Sequence, residues 1–352
     1  MASAGTLPLK SIAGLSLLAI TVAGSRVNIN ALLKDFLTGP GNKSRIFALL
    51  VFLANLKSVP FVWHYRVFNA VFKHTIFDTP NIPVYLRPSC LFLPTITSSR
   101  SGLYESDYNL HKSNSTYFSD LDVSRSHLAS IILQPGVVKL RHNKANKIVL
   151  DPSGKPVCGK WGIMLGSVMC SFKREIGMYE GFEMWSRLLC WDRKWIYIVS
   201  HFVKKGTVKP SAYVLTDGSW FGGKGYKKVG GKGTAELDEK SIYASAISKY
   251  VIKLGRMTIH PEVTLEASEM LPERPGGWAK MDGTTVPPPT QQMDVELKEL
   301  KDENLWDWRR VEAENRKGLE FAEKFAALDN LHDEFSGSQG DAMGRYRDFL
   351  TV

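Results

Sequence analysis

The sequence predicts an α+β fold in which an antiparallel sheet packs against one long buried helix. The helix is predicted by apolar residues that recur at helical spacing over residues 117–131, and the Gln-Pro-Gly run at 134–136 ends this pattern. The sheet is predicted by three segments in which apolar and polar residues alternate: 161–172, 181–191 and 195–203. Such alternation is typical of an antiparallel sheet with one covered face.

Further strands and a tight turn complete the predicted sheet. Residues 80–106 have β character, and the alternating pattern resumes at 241–253. The Asp-Arg-Lys run at 192–194 suits a tight connection between two strands. Within 181–191 the alternation predicts that four side chains share one face: Phe182, Met184, Leu188 and Cys190.

Composition and charge indicate a globular chain with an unusual N-terminal third. The chain has 352 residues, of which 44% are hydrophobic, enough to fill a core. Residues 1–100 carry ten Lys and Arg side chains against two Asp, a net charge of +8 out of +10 for the whole chain. Because these charges lie among apolar stretches, they favour an anionic membrane surface as a partner. No basic stripe interleaved with aromatic residues occurs elsewhere, so nucleic acid is not predicted as a partner.

The four cysteines do not indicate a metal or redox site. Cys90, Cys158, Cys170 and Cys190 form no CxxC pair and have no histidine at metal-ligand spacing. We interpret them as buried thiols, with a disulfide between Cys170 and Cys190 across neighbouring strands as an open alternative. The sequence predicts neither a metal nor a cofactor.

Residues 1–75 form an apolar and basic N-terminal segment. Its two apolar runs, 11–24 and 46–55, are shorter than the roughly 20 residues that span a bilayer. The second run lies near Trp63, Tyr65 and Arg66, which suit an interfacial anchor. A cleaved signal and a cap on the core are the alternatives. We expect a membrane-associated protein whose folded domain lies in the cytosol.

The remaining chain divides into a folded domain, a linker and a C-terminal helix. The domain is predicted over 78–271, with a Gly- and Lys-rich insertion at 217–234. This insertion is not a P-loop, since Gly233 stands where a P-loop needs Ser or Thr. A Pro- and Gly-rich linker follows at 272–291, and 292–352 contain an amphipathic helix and a tail. We expect this helix to pack on the domain, with binding to a partner as the alternative.

Residues 104–125 carry the candidate chemistry. Five polar or titratable side chains crowd the entry to the predicted helix: Asp107, Asn109, His111, Asn114 and Tyr117. The start of a helix offers unpaired N–H groups and the positive end of a dipole, which can polarise a carbonyl and stabilise an oxyanion. A carboxylate beside it can attack that carbonyl or take a proton from water.

The run DYNLHKSNSTYF resembles the helix entry of the hot-dog superfamily of acyl thioesterases. In that superfamily an Asp is followed by His, Asn and Tyr at fixed offsets, here His111, Asn114 and Tyr117 at four, seven and ten residues after Asp107. Leu110 stands where many members have Gly. The resemblance covers about residues 50–265 and is to the 4-hydroxybenzoyl-CoA-thioesterase-like superfamily. It is strongest to the Them6-like branch and to the thioesterases of fungal secondary-metabolite clusters.

The resemblance implies a hot-dog fold and hydrolysis of an acyl-CoA or acyl-carrier-protein thioester. It implies that Asp107 is the catalytic carboxylate, as nucleophile or general base, and that the backbone N–H near Asn114 polarises the thioester. His111 completes the predicted catalytic set, and Asn109 and Tyr117 are predicted to bind substrate. It also implies a homodimer in which two chains share the site.

Structural roles compete with these assignments. Asp and Asn before a helix often act only as caps, His111 can brace the turn, and Tyr117 can be a core residue. Asp120, Asp122 and Arg125 are expected to form an ion pair on the helix face, near the dimer surface. The alternative function is a non-catalytic acyl-binding or scaffold protein at a membrane.

Overall fold

The computed structural model describes residues 28–77, 80–216, 225–228, 238–282, 306–333, 343 and 345. The chain forms two compact units, Met1–Pro60 and Phe61–Val352. The described part of the first unit is helical, with α1 (Ile29–Thr38), α2 (Asn42–Ala54) and a 3-10 turn (Leu56–Ser58). The side chain of Asn28 caps α1 by accepting a hydrogen bond from Ala31 N at 3.1 Å.

The expectation of a membrane-associated protein is wrong. Within the described residues, none of the helices combines the length and the apolar character that crossing a bilayer requires. The second apolar run lies in α2, whose 13 residues extend about 20 Å against a hydrocarbon core of about 30 Å. The first apolar run, 11–24, falls outside the described residues.

The second unit contains the sheet and the long helix. In chain order its elements are α3 (Val62–Phe72), a π-helical turn (Lys73–Phe77), a 3-10 turn (Val84–Leu86), α4 (Arg87–Cys90), β1 (Thr95–Arg100), a 3-10 turn (Leu103–Glu105), α5 (Thr116–Arg141), α6 (Asn143–Asn146), β2 (Trp161–Phe172), β3 (Gly181–Trp191), β4 (Trp195–Lys204), β5 (Ala212–Tyr213), β6 (Lys227–Lys228), a 3-10 turn (Glu239–Ser241), β7 (Ile242–Leu254), β8 (Met257–Ile259), α7 (Pro261–Ala267), α8 (Trp308–Ala326) and a 3-10 turn (Ala327–His332). The first unit ends at Pro60, so α3 lies in the second unit, with the sheet.

The main sheet is antiparallel and has the strand order β1-β3-β4-β7-β2, with β8 paired to β7. The sheet curls around α5, which is the hot-dog arrangement, so the predicted fold is confirmed. Strands β2, β3, β4 and β7 agree with the four alternating segments to within one residue at each end. Residues 80–106 were predicted to have β character, but only β1 is a strand there, and Val84–Leu86 and Arg87–Cys90 are helical. The turn between β3 and β4 is held by Asp192 Oδ1, which accepts from Lys194 N at 2.7 Å and Trp195 N at 2.6 Å.

Both faces of the sheet are covered, where the alternation predicted one covered face. Helix α5 packs on the inner face and α8 on the outer face, against β3. The register of β3 against β4 shifts between Leu188 and Cys190. This bulge turns Cys190 toward Ala322 and Phe325 of α8, away from the face that Leu188 shares with α5. The prediction that Cys190 shares the face of Leu188 is therefore wrong.

Helix α5 continues past the predicted stop at 134–136 and ends at Arg141. Pro135 lies inside the helix, where it removes one backbone donor. Gly136 lies against α7: a Cβ atom there would stand 2.4 Å from Ser268 Oγ and 2.5 Å from the carbonyl oxygen of Thr264. Gly136 N also donates to Ser268 Oγ at 3.0 Å. Contacts with α7 thus outweigh the local preference of Pro-Gly to end a helix.

All four cysteines are free thiols. Strands β2 and β3, which carry Cys170 and Cys190, are separated by β4 and β7, so the alternative disulfide does not form. Cys158 is exposed, contrary to the expectation of a buried thiol.

Candidate active site

The residues before α5 fold into a tight hairpin, Glu105–Ser113. Asp107 N donates to the carbonyl oxygen of His111 at 2.8 Å, and Leu110 N donates to the carbonyl oxygen of Asp107 at 3.0 Å. Leu110 adopts φ = +62°, the left-handed conformation that favours glycine. A leucine thus adopts a left-handed conformation at the position where the resemblance places a glycine, at a conformational cost of about 1–2 kcal/mol.

One oxygen of the Asp107 carboxylate is used to build this turn. Oδ1 accepts hydrogen bonds from Asn109 N at 2.9 Å and from His111 N at 3.4 Å. Oδ2 accepts no hydrogen bond from the described residues, and the side chain is partly exposed. Asp107 therefore has a structural role in the turn, but it does not cap α5, whose N-cap residue is Ser115. This structural role uses only one of the two carboxylate oxygens.

The hairpin lies directly against the start of α5. The carbonyl oxygen of Glu105 accepts from Ser113 N at 2.7 Å and from Thr116 Oγ1 at 3.5 Å, and Thr116 is the first residue of the helix. The backbone N–H groups of Asn114 and Ser115 donate to no acceptor in the described part of the chain, and both residues are exposed. A carboxylate and unpaired helix N-terminal donors therefore lie on one short, folded segment.

The five predicted site residues divide into three groups. Asp107 and His111 are partly buried and face each other across the turn, with every hydrogen bond of His111 to the described chain made by its backbone. Asn109 and Asn114 are exposed, at the tip of the turn and at the helix start. Tyr117 is buried in the core, with ring centroids 5.0 Å from Phe172 and 4.8 Å from Phe202, and burial raises its pKa well above 10.

The sequence did not predict a buried ionic network that lies beneath the hairpin. Lys112 is fully buried, with Nζ 2.9 Å from Asp120 Oδ2 and 3.1 Å from Glu105 Oε2. The other oxygen of Asp120 accepts from Arg66 of α3 at 2.7 Å. Asp120 was expected on an exposed helix face, but it has no solvent exposure. It lies there because α3 and the hairpin both cover the first turns of α5.

In the rest of the expected ion pair, Arg125 is buried and Asp122 is partly exposed. Arg125 pairs with Asp122 at 2.5 Å, as predicted, but its guanidinium is 2% exposed and donates to Ser248 Oγ of β7 at 2.6 Å. The expectation of a surface pair is therefore wrong for Arg125. Only Asp122, which is partly exposed, resembles that expectation.

A second loop supports the hairpin from the far side. Lys112 N donates to the carbonyl oxygen of Ile176 at 2.8 Å, and His111 forms a β-bridge with Gly177. Glu180 holds this loop by accepting from Gly177 N at 2.9 Å and from Tyr243 Oη at 2.5 Å. No local pattern in residues 173–180 indicates this function. Among the described residues, no three His, Cys, Asp or Glu side chains converge on a metal position.

Comparison with known proteins gives the family. The model of the family described as "Thioesterase-like superfamily" matches residues 102–240, which include the hairpin, α5 and most of the sheet. The chain is 38% identical over 292 residues to a Penicillium oxalicum protein named "Thioesterase poxG", covering 82% of this chain and 85% of that protein. The chain belongs to the thioesterase-like superfamily.

Other members of the thioesterase-like superfamily are similar over comparable lengths. "Probable thioesterase atnL" of Emericella nidulans is 33% identical over 339 residues, 92% of this chain and 94% of that protein. "Thioesterase lcsJ" of Purpureocillium lilacinum is 30% identical over 293 residues, 77% of this chain and 86% of that protein. The prediction of a thioester hydrolase is confirmed, and the alternative of a non-catalytic scaffold is not favoured.

Proposed function

We propose that this thioesterase hydrolyses acyl-CoA or acyl-carrier-protein thioesters with Asp107 as its catalytic carboxylate. The observation that carries the proposal is that the two oxygens of this carboxylate have different hydrogen bonding. Oδ1 is held by two backbone donors of the turn, whereas Oδ2 has no partner in the described chain and lies on the segment that leads into α5. A fixed carboxylate with one unoccupied oxygen is suited to attack or to accept a proton.

The start of α5 supplies the second element of the mechanism. In our proposal the thioester carbonyl oxygen accepts a hydrogen bond from the N–H groups near Asn114, which polarise the carbon and stabilise the oxyanion. As a base, Asp107 takes a proton from water, hydroxide adds to the carbon, the C–S bond breaks, and the thiolate recovers the proton. As a nucleophile, Asp107 displaces the thiolate directly, and water hydrolyses the resulting anhydride.

The other predicted residues take supporting roles in this proposal. Asn109, exposed at the tip of the turn, is available to the carrier arm of the substrate. His111 shapes the turn through its backbone, which donates to Asp107 Oδ1 and accepts from Asp107 N. Tyr117 forms the apolar floor under the helix start by packing on Phe172 and Phe202. The fungal relatives make lipid or secondary metabolism the proposed setting of the reaction.

We also propose that two chains pair through β2. This strand has 12 residues and only β7 as a neighbour among the described strands. Met164, Leu165 and Met169 are between 44% and 49% exposed on it. A long apolar edge strand needs a cover, and a second copy of the same strand, related by a twofold axis, provides one.

A panel of acyl-CoA thioesters of increasing chain length, assayed with the wild type and with Asp107→Asn, tests the activity. We expect turnover of at least one thioester by the wild type and a loss of about a hundredfold or more in the variant. Equal turnover by both proteins would reject Asp107 as the catalytic carboxylate.

A further inference from the structure

Lys112 is an unusual residue for its position. It follows His111 in the hairpin, yet its ammonium group is fully buried, and Nζ lies 5.4 Å from the ring centroid of Tyr117 and 5.5 Å from that of Phe182. A buried ammonium persists only where carboxylates and polarisable groups replace its water. A positive charge is therefore buried directly beneath the proposed catalytic turn.

The partners of Lys112 come from three separate parts of the fold. Glu105 belongs to the first limb of the hairpin, Asp120 to the second turn of α5, and Arg66 reaches Asp120 from α3. In the described residues these contacts pair two cations, Arg66 and Lys112, with the carboxylates of Asp120 and Glu105. The network thus joins the hairpin that carries Asp107 to the helix whose N-terminus faces the substrate in our proposal.

We propose that Lys112 and Asp120 are positioning residues for thioester hydrolysis. Their ion pair fixes the hairpin on the first turns of α5, and so sets where Asp107 stands relative to the N–H groups of Asn114 and Ser115. This inference rests on the proposed function. Arg66 extends this network, since it pairs with Oδ1 of Asp120 while Lys112 pairs with Oδ2. A shift of about 1 Å in such an arrangement lowers a rate by about a hundredfold.

Variants of the pair separate positioning from folding. Lys112→Met removes the charge and keeps the aliphatic stem, and Asp120→Asn keeps the shape of the carboxylate. For each folded variant we expect kcat to fall about tenfold or more while KM stays within about threefold, because the substrate contacts are unchanged and only the reacting geometry is lost. The double variant should lose little more than the worse single variant, since both remove one interaction.

Lys249 provides a matched control. It is also fully buried, it pairs with Asp329 at 2.5 Å, and Nζ lies 5.0 Å and 5.5 Å from the rings of Trp195 and Phe325. It lies on the outer face of the sheet, against α8, whereas Lys112 lies beneath the hairpin at the start of α5. Lys249→Met should lower thermal stability as Lys112→Met does, but leave kcat unchanged.

The outcomes are distinct. If Lys112→Met and Asp120→Asn keep wild-type kcat, or if Lys249→Met lowers kcat equally, the positioning role is rejected while loss of activity in Asp107→Asn still supports the proposed function. If Asp107→Asn is fully active, the proposed function itself fails. Should Lys112→Met not fold, Arg66→Met reaches the same network from its partly exposed side, and an unchanged kcat there together with an unchanged kcat in Asp120→Asn rejects the inference.

Discussion

The Nε2 atom of His74 lies 2.9 Å from the Nδ1 atom of His127, so that two imidazoles join the end of the α3 segment to α5. Their rings meet edge to face, with centroids 5.1 Å apart. Burial, and then the proximity of His74 and Lys73, lowers the pKa of His127 from 6.5 to about 4. In this contact one ring nitrogen donates and the other accepts, so the two rings cannot both be protonated while it persists.

This pair predicts acid sensitivity. Because the pKa of His127 is lower in the folded than in the unfolded state, the unfolded chain binds more protons between pH 6.5 and 4, and stability falls as the pH falls through that window. The contribution is up to about 3 kcal/mol. Chemical denaturation of the wild type and of His127→Asn at pH 7 and pH 4.5 measures it. The variant should lose less stability on acidification, and an equal loss would contradict the prediction.

Asp107→Ala and Asp107→Asn should differ in stability but not in activity. Both remove the carboxylate that we propose to be catalytic, whereas Asn keeps an oxygen that can accept from Asn109 N and His111 N. We expect Asp107→Ala to lose about 1 kcal/mol of unfolding free energy, as for other lost side-chain caps, and Asp107→Asn to lose much less. Urea unfolding and thioester assays on the same preparations check both effects. Equal stability of the two variants would mean that the turn does not depend on Oδ1.

Leu110→Gly should stabilise the hairpin or leave its stability unchanged. The left-handed conformation costs a leucine about 1–2 kcal/mol, and glycine loses about 0.5–1 kcal/mol through its larger entropy in the unfolded chain. The expected net change is a gain of about 0.5 kcal/mol. Leu110→Ala is the control, since alanine keeps the strain. A clear destabilisation by glycine would contradict the prediction, and an equal loss in Leu110→Ala would assign it to a stabilising contact of the exposed leucine side chain.

Gly136→Ala should destabilise the protein by about 2 kcal/mol or more, although alanine is the better helix former. The added Cβ would meet Ser268 Oγ and the carbonyl oxygen of Thr264, and the second cannot move without α7. Ser130→Ala, at a partly exposed position of the same helix, is the control and should be neutral or mildly stabilising. Thermal unfolding of both variants makes the comparison, and a neutral Gly136→Ala would mean that α7 moves freely.

Leu165→Glu should dissociate the proposed dimer. A charge on the exposed edge of β2 opposes pairing with a second copy and is tolerated by a monomer. Light scattering over a concentration series should give twice the chain mass for the wild type and the chain mass for the variant. A monomeric wild type would reject the proposed pairing.

Local chemistry determined much of what the sequence predicted. Alternation of apolar and polar residues places β2, β3 and β4 because side chains on a strand point to opposite faces in turn. Short polar side chains such as Asp107 and Asp192 hold turns through their own backbone neighbours. These interactions join residues two to five positions apart, so the sequence alone predicts them. The proposed chemistry of the site came from the resemblance at the helix entry.

Tertiary structure decided the features that depend on distant partners. Helix α5 continues through Pro135 because α7, about 130 residues later, packs on Gly136. Lys112 and Asp120 resemble surface charges in the sequence, and they are buried because the hairpin and α3, with Arg66, both cover the first turns of α5. Whether a charge is solvated or paired depends on which elements cover it, and no local pattern specifies that covering.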